Sequence, residues 1–515
     1  MTRTRRWRTP MAGVLSGLLF ALAFPPFEWA VLLPIALVPW LAALATEQSP
    51  ARAFWSGVLF GLAYWCLSIS WIFYVVTHYG GQNGVMGVVC LTILALILAE
   101  WPAVVAWGSV AAAPAGSGWR MAAVPLVWVA TEHVRCVVYK GFPWNLTAHA
   151  LYRHPIWMQT ASVWGVFGVG ALVVSVSALL AHAISRRRPR PAAAAALLVM
   201  AAGGWGAWRL SASPATGTPE LGVALLQPNL TEESRSTPEK AVASYQTVLG
   251  QAREAADGFP ALILIPESAL PAYWQHSAAL RQDLATLAHR GPLLLFNDVE
   301  EELDGRYYNA ARLLGPQGLS GPSYRKIHLV PFGEYVPLPK IFFFVRQIST
   351  EIGAFTPAPR PTLLRSGILA IGTAICYEAI YPSLAREETA DGANLLATIS
   401  NDSWYGRGGA QEQHFAGAVL RSVENARYLV RAAITGISGI VDERGRIRAE
   451  SRPDQRVLLS GDVRLETVRT PWTRWGYRLP LVADLAAGAV LVFALVRLRR
   501  QRPLSVESRR VKVSE

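Results

Sequence analysis

Seven apolar stretches fill the first 210 residues of this 515-residue chain, near 11–25, 28–46, 54–76, 84–110, 121–136, 157–184 and 192–210. A bilayer core is about 30 Å thick and needs about 20 helical residues to cross it. Backbone groups have no water to bond there, so such stretches must close their hydrogen bonds internally as helices. Residues 1–210 therefore read as a membrane domain of seven transmembrane helices. The first stretch is short and ends at Pro25-Pro26. It also fits a signal peptide, with basic residues, an apolar run and Ala21-Leu-Ala23. It is read here as a retained span, because a second span follows at once and the pair forms a hairpin.

The formal charge of +13 would suit a nucleic-acid binder, but its distribution does not. Nearly all the excess sits in three short flanks: Arg3, Arg5, Arg6 and Arg8; the run Arg186-Arg-Arg-Pro-Arg190; and a tail from Arg497 to Lys512. Arginines beside apolar segments follow the positive-inside rule rather than building a groove for phosphates. The N-terminal tail, the loops carrying Arg52 and Arg120, and the 186–190 run then share the cytoplasmic side. Seven crossings place the chain outside from residue 211. An eighth span at 480–497 returns a basic tail, 498–515, to the cytoplasm.

Residues 220–470 differ. Charges reappear and apolar runs shorten to strand length, near 221–226, 261–266, 292–297, 309–314, 368–375, 394–399, 432–441 and 456–462. Several are continuously apolar, as strands covered on both faces are. Helical stretches at about 237–256, 277–289 and 411–430 lie between them. This segment is long enough to bury a substantial core, and it reads as one α/β domain held outside the membrane.

The chemistry concentrates in that domain. Three of the four cysteines, Cys66, Cys90 and Cys136, fall in apolar surroundings. The spacing offers neither a disulfide framework nor a zinc site, so no metal is expected. Cys376 ends a strand-like run and is followed by Tyr377 and Glu378. Ala261-Leu-Ile-Leu-Ile-Pro-Glu267 puts a carboxylate at the end of another run, and Tyr324-Arg-Lys326-Ile-His328-Leu-Val-Pro-Phe-Gly-Glu334-Tyr-Val-Pro337 carries a lysine and a glutamate in a punctuated loop. If the strands are parallel neighbours, their carboxyl ends converge on one site. A thiolate is a nucleophile, a nearby ammonium lowers its pKa, and a carboxylate can take its proton and return it. Lys326 and backbone N–H groups near Tyr377 would then face an oxyanion.

The Glu…Lys…Cys set resembles the nitrilase superfamily, whose domain is an α-β-β-α sandwich. The run 324–337 closely resembles the apolipoprotein N-acyltransferase family, as do Gly141-Phe-Pro-Trp144-Asn, Cys376-Tyr-Glu378, Ser400-Asn-Asp-Ser-Trp404 and Glu424-Asn-Ala-Arg427-Tyr. Seven spans, an inserted α/β nitrilase-like domain and a last span match that family's layout, so the likeness covers essentially the whole chain. It implies Glu267 as general base, Lys326 as oxyanion stabiliser and Cys376 as nucleophile. Glu334 would support the site by holding Lys326 or the departing proton. Tyr377 and Glu378 would shape the nucleophile turn. Asn309, Trp144 and Trp404 match positions tied to activity or substrate placement. One departure stands out: after Gln227-Pro-Asn229, where the family usually carries a Lys-Trp pair, this chain has Glu233-Ser-Arg235-Ser.

The resemblance implies transfer of a fatty acyl chain from a membrane phospholipid, usually phosphatidylethanolamine, through a Cys376 thioester. The acceptor is the N-terminal amine of a diacylated apolipoprotein. No cofactor is implied, and the enzyme is expected as a monomer in a bacterial inner membrane, its catalytic domain periplasmic and both termini cytoplasmic. A membrane-tethered nitrilase-type amidase uses the same triad with water as acceptor and stays open as an alternative. A non-catalytic lipid transporter or lipoprotein-binding protein gives no reason to hold the three residues together. Glu132, His133, Arg135 and Lys140 read either as a phosphate head-group site or as a polar helix end. The run Ile341-Phe-Phe-Phe-Val345 reads either as a membrane-dipping lid or as core.

Overall fold

The computed structural model describes residues 3–138, 141–213, 217–231, 233–336 and 355–501. Lys140, Pro337, the 341–345 run and the tail from residue 502 lie outside them.

Among the described residues, four helices are long and apolar enough to cross a membrane: Gly84–Ala112, Ala161–Arg186, Pro189–Ser211 and Pro480–Arg500. Pro50–Ser68 and Trp71–Tyr79, bent by 57°, make a fifth if they form one span. The eight expected spans are thus not all equivalent. Arg3–Leu22 is a helix that begins inside the basic tail. The second stretch is cut into Ala30–Leu32, Leu33–Ala36 and Val38–Thr46, with Pro34 and Pro39 in the first turns of the latter two. Gly118–Val137 is helical but buries Arg120, Glu132, His133 and Arg135. Arg120 donates to the carbonyls of Ala113 and Leu44, satisfying groups at helix C-termini that have no partner within their own helix. Gly57 lets Pro50–Ser68 approach Gly84–Ala112 closely, since a Cβ there would lie 2.5 Å from the Pro102 carbonyl and the Ala103 Cα.

Residues 220–464 form two sheets stacked face to face. One runs in the order Val457–Arg464, Glu220–Gln227, Leu262–Leu264, Leu293–Glu301, Tyr307–Gly315 and Gly318–Leu319, with Tyr324–Arg325 also on Tyr307–Gly315. The three strands from Glu220, Leu262 and Leu293 are mutually parallel. The other sheet runs Ile447–Glu450, Gly439–Val441, Leu429–Ala433, Leu395–Ser400, Leu369–Ile375 and Leu364–Ser366, its Leu369, Leu395 and Leu429 strands parallel.

Strand alternation assigns the layers. Val223, Leu225, Leu262, Leu264 and Leu295 of the first sheet bury against Ile371, Leu395, Ala397, Ile399 and Val430 of the second. The alternate residues Ala224, Leu226, Ile263 and Leu294 face helices Pro238–Asp257 and Ala278–Ala288. Leu396 and Leu429 face outward toward Pro382–Ala390 and Ala410–Asn425, which pack in turn on the membrane helices. The result is the expected α-β-β-α sandwich, with one helical layer continuous with the membrane part.

Two expected boundaries move. The helix read as 411–430 stops at Asn425, where Ala426 turns left-handed at φ 50°, and a strand starts at Leu429. The strand read as 432–441 is two antiparallel strands, Leu429–Ala433 and Gly439–Val441. Periodicity cannot see that reversal, because residues on both sides are apolar. Helix Ala161–Arg186 breaks at Gly165, φ 67°, a conformation open to glycine. The break turns the Val166 amide onto the Glu424 carboxyl of the α/β domain at 2.7 Å.

Candidate active site

Cys376 follows strand Leu369–Ile375, Glu267 lies three residues beyond Leu262–Leu264, and Asn401 follows Leu395–Ser400. The expectation of neighbouring parallel strands is met only in part. Glu267 and Cys376 come from different sheets and meet across the sandwich, at the carboxyl ends of both parallel sets. The Asn401 backbone amide joins them by donating to Glu267 Oε2 at 2.9 Å.

Lys326 is 1% exposed and its Nζ lies 2.9 Å from Glu334 Oε1 and 3.5 Å from Glu267 Oε1. Asn309 stands between the two acids, its Nδ2 donating to Glu267 Oε1 at 3.0 Å and Glu334 Oε1 at 2.8 Å. Asn297 donates to Asn309 Oδ1 at 2.7 Å and fixes that amide's orientation. The Lys326 loop is pinned through its backbone, because Lys326 N donates to the Asn309 carbonyl and Val330 N to Glu334 Oε2. Burial alone would lower the Lys326 pKa, but Glu334 and Glu267 reverse this and raise it, so the ammonium is permanent.

Glu378 ties the lysine loop to the nucleophile strand. Its Oε1 accepts from Ile327 N at 2.7 Å and His328 N at 3.0 Å; its Oε2 accepts from Ile375 N at 2.9 Å and the Tyr324 hydroxyl at 2.7 Å. One fully buried carboxyl thereby sets the spacing of Lys326 and Cys376. Cys376 itself sits at φ 52°, a left-handed strain that persists only where the surroundings over-determine it.

Lys326 lowers the thiol pKa as expected, but it does not set the net result. Burial and the charge of Glu267 push the pKa well above the usual thiol range, and Lys326 offsets them only in part. The thiol is therefore protonated at rest, and the proton must leave during attack.

Several residues here were not picked out from the sequence. Asp402 accepts from Arg431 at 2.6 Å and from Ser400 Oγ at 2.6 Å, and faces His414 Nδ1 at 3.0 Å. His414 Nε2 lies 2.9 Å from the Cys376 carbonyl, which can only accept, so this nitrogen carries a proton. Burial, then Arg431, lowers the His414 pKa. Burial would raise the Asp402 pKa, but Arg431 and His414 outweigh it and hold the carboxyl below its usual range. The motif at 400–404 was the only sequence signal for this network. His414 ends the polar run Gln411-Glu-Gln-His414 and Arg431 sits in an apolar strand, and neither marks the other as a partner.

The two tryptophans diverge. Trp404 is 39% exposed and lies 4.9 Å from Tyr79. Trp144 is 1% exposed, stacked between Tyr377 at 6.3 Å and His414 at 5.8 Å. It presses on the nucleophile turn from behind, rather than standing open to a ligand. Glu132, His133 and Arg135, which read either as a head-group site or as a polar helix end, each have a bond within the protein. Glu132 accepts from Thr147, His133 pairs with Asp484 at 2.6 Å, and Arg135 donates to the carbonyls of Phe142 and Trp144. These bonds tie Gly118–Val137 to the Gly141–Trp144 loop, to Thr147 and to the last helix.

Burial pushes Glu378 and Glu424 up to about 7 from the ordinary 4.5. The native state then holds protons that the unfolded chain has released between pH 4.5 and 7, so each contribution to stability falls as pH climbs through that window. His414 opposes this, because its lowered pKa leaves the native state holding fewer protons than the unfolded chain around and below pH 6.5. The clean measurement is therefore a difference. Between about pH 5 and about pH 7.5 the parent should lose on the order of 3 kcal/mol that Glu424→Gln does not. Melting curves of both proteins at the two pH values check this, and parallel pH slopes would contradict it.

Comparison with known proteins agrees with this architecture. The family model for the apolipoprotein N-acyltransferase N-terminal domain matches residues 16–179, and that for carbon-nitrogen hydrolases matches 222–471. The apolipoprotein N-acyltransferase of Geobacter metallireducens is 35% identical, covering 96% of this chain and 97% of its own. That of Methylococcus capsulatus is 32% identical, covering 90% and 92%. An amidase from Nesterenkonia sp. of known structure is 21% identical over 50% of this chain and 95% of its own, with a TM-score of 0.37. With a 35% identical relative matched nearly end to end and a carbon-nitrogen hydrolase domain mounted on an N-terminal helical domain of the same family, the chain belongs to the apolipoprotein N-acyltransferase family.

Proposed function

We propose that the protein transfers a fatty acyl chain from a membrane phospholipid to the N-terminal amine of diacylglyceryl-cysteine on apolipoproteins, through a thioester on Cys376. The observation that carries this is the meeting of Glu267, Lys326 and a strained Cys376 at the junction of a sandwich domain with apolar helices. Glu267 takes the thiol proton as Sγ attacks the sn-1 ester carbonyl. The oxyanion forms against Lys326 and backbone N–H groups of the nucleophile turn. Collapse breaks the ester C–O bond, Glu267 returns the proton to the leaving lysophospholipid, and the acyl group remains on Cys376. The α-amine of the acceptor then attacks the thioester, Glu267 takes the amine proton, and an amide forms while the thiol is regenerated.

The helices fit this reading because both substrates are lipids. Extracting an acyl chain into water costs about 0.8 kcal/mol per CH₂, and a bilayer-mounted site avoids that. In this reading residues 1–210 supply seven crossings and 480–497 the eighth. Residues 220–470 stand on the periplasmic side of a bacterial inner membrane, and both termini are cytoplasmic. Glu334 and Asn309 hold Lys326 and Glu267 in register. Tyr377 and Glu378 shape the turn, and the half-exposed Trp404 contributes to substrate placement.

Intact-mass measurement of the purified chain tests the proposal. A hydroxylamine-labile acyl mass on Cys376, discharged by a diacylated lipopeptide, is expected. Discharge by water alone would favour the amidase reading.

A further inference from the structure

Gln413 is 1% exposed and uses its whole side-chain amide on the membrane part. Its Oε1 accepts from the indole N–H groups of Trp71, at 3.1 Å, and Trp144. Its Nε2 donates to the carbonyls of Pro25 and Ser68, both at 2.8 Å. An amide has two donor hydrogens and two acceptor lone pairs, so all four are committed. Pro25 follows the first helix, Ser68 ends Pro50–Ser68, Trp71 begins the bent segment after it, and Trp144 closes the Gly141–Trp144 loop. Three separate stretches of the membrane part, at Pro25, at the Ser68–Trp71 bend and at Trp144, thus converge on one residue of the α/β domain.

Two short routes lead from that residue to Cys376. The next residue, His414, donates to the Cys376 carbonyl. Trp144, fixed by Gln413, stacks on Tyr377 beside the nucleophile and on His414. A left-handed cysteine needs such external fixing, and the mechanism above leaves Gln413 without a part. We propose that Gln413 is a positioning residue that seats the nucleophile turn on the membrane helices, so that Cys376 attacks only while the helical part is correctly docked. This rests on the acyl-transfer reading for its effect on rate, but not for its effect on the thiol.

A glutamate in place of Gln413 would be the same size, but its second oxygen would face two carbonyls that it cannot satisfy. In the purified full chain in phospholipid–detergent micelles, Gln413→Glu should slow acyl uptake on Cys376 by about 10- to 100-fold. The apparent KM for phospholipid should stay within about threefold, since the change misplaces the reacting atom rather than the lipid. The pH midpoint for iodoacetamide alkylation of Cys376 should also move, because the thiol's distance to Glu267 and Lys326 changes. Trp71→Phe, which removes one of the four hydrogen bonds and keeps a ring, should give a smaller loss of the same kind and keeps the test informative if Gln413→Glu does not fold. Unchanged acyl uptake would overturn the inference. So would slower uptake with an unmoved alkylation profile, which would mark a merely structural role. If the parent itself takes up no acyl group, the acyl-transfer reading fails, and the alkylation profile alone decides the role of Gln413.

Discussion

Cys376→Ser should abolish acyl-enzyme formation and lower acyl transfer by at least about 10³-fold. The physical reason lies in the resting site. Burial and Glu267 already keep the thiol protonated, so attack depends on removing its proton while Lys326 stands ready for the oxyanion. A serine hydroxyl is a much weaker acid than a thiol, and the same carboxyl cannot deprotonate it at comparable cost. Fold and docking should survive, because the two side chains differ by one atom in a position set by the backbone and by Glu378. The check is intact mass with phospholipid present, alongside a melting curve. An acyl adduct at another residue of the variant would overturn the assignment of Cys376.

Glu267→Gln should lower acyl transfer by about 10²- to 10⁴-fold, the usual contribution of a general base. The amide keeps one oxygen to accept from Asn309 or Asn401, and loses the charge, the proton-accepting power and the hydrogen bond its NH2 cannot accept. The same substitution should make Cys376 more reactive toward iodoacetamide near neutral pH. Glu267 raises the thiol pKa while Lys326 lowers it, so removing the carboxylate takes away the largest opposing charge and leaves burial and Asp402 against Lys326. A variant slower in acyl transfer but faster in alkylation separates proton transfer from thiolate stability. Slower alkylation in Glu267→Gln would show that the carboxylate activates the resting thiol, contrary to the electrostatics of the structure.

Much of the site was legible because its residues stand where apolar runs stop. Glu267 and Cys376 each come just after a strand, and Lys326 lies in a loop crowded with proline and glycine. What supports them was not legible. Gln413 and His414 lie in the polar run Gln411–His414 at the start of a buried helix and Arg431 in a central strand, and neither setting announces a partner. His414 meets Asp402 across 12 residues and Gln413 meets Pro25 across 388, and spacing carries no information at such separations. The membrane part shows the same division. Long apolar helices such as Gly84–Ala112 are read directly, whereas the break at Gly165 exists because Glu424 and Trp472 meet the helix there.

The sequence by itself determined the two kinds of architecture, the period and length of their elements, and the three reactive residue types at strand ends, since each depends on local chemistry and repeat. Only the tertiary structure decided that Glu267 and Cys376 belong to opposite sheets, that Glu378 sets the spacing to Lys326, that Trp144 is a backing rather than an open surface, and that the thiol rests protonated. Those are matters of burial and of distances between remote segments, and a low-dielectric interior lets small differences in them decide the protonation of the groups that react.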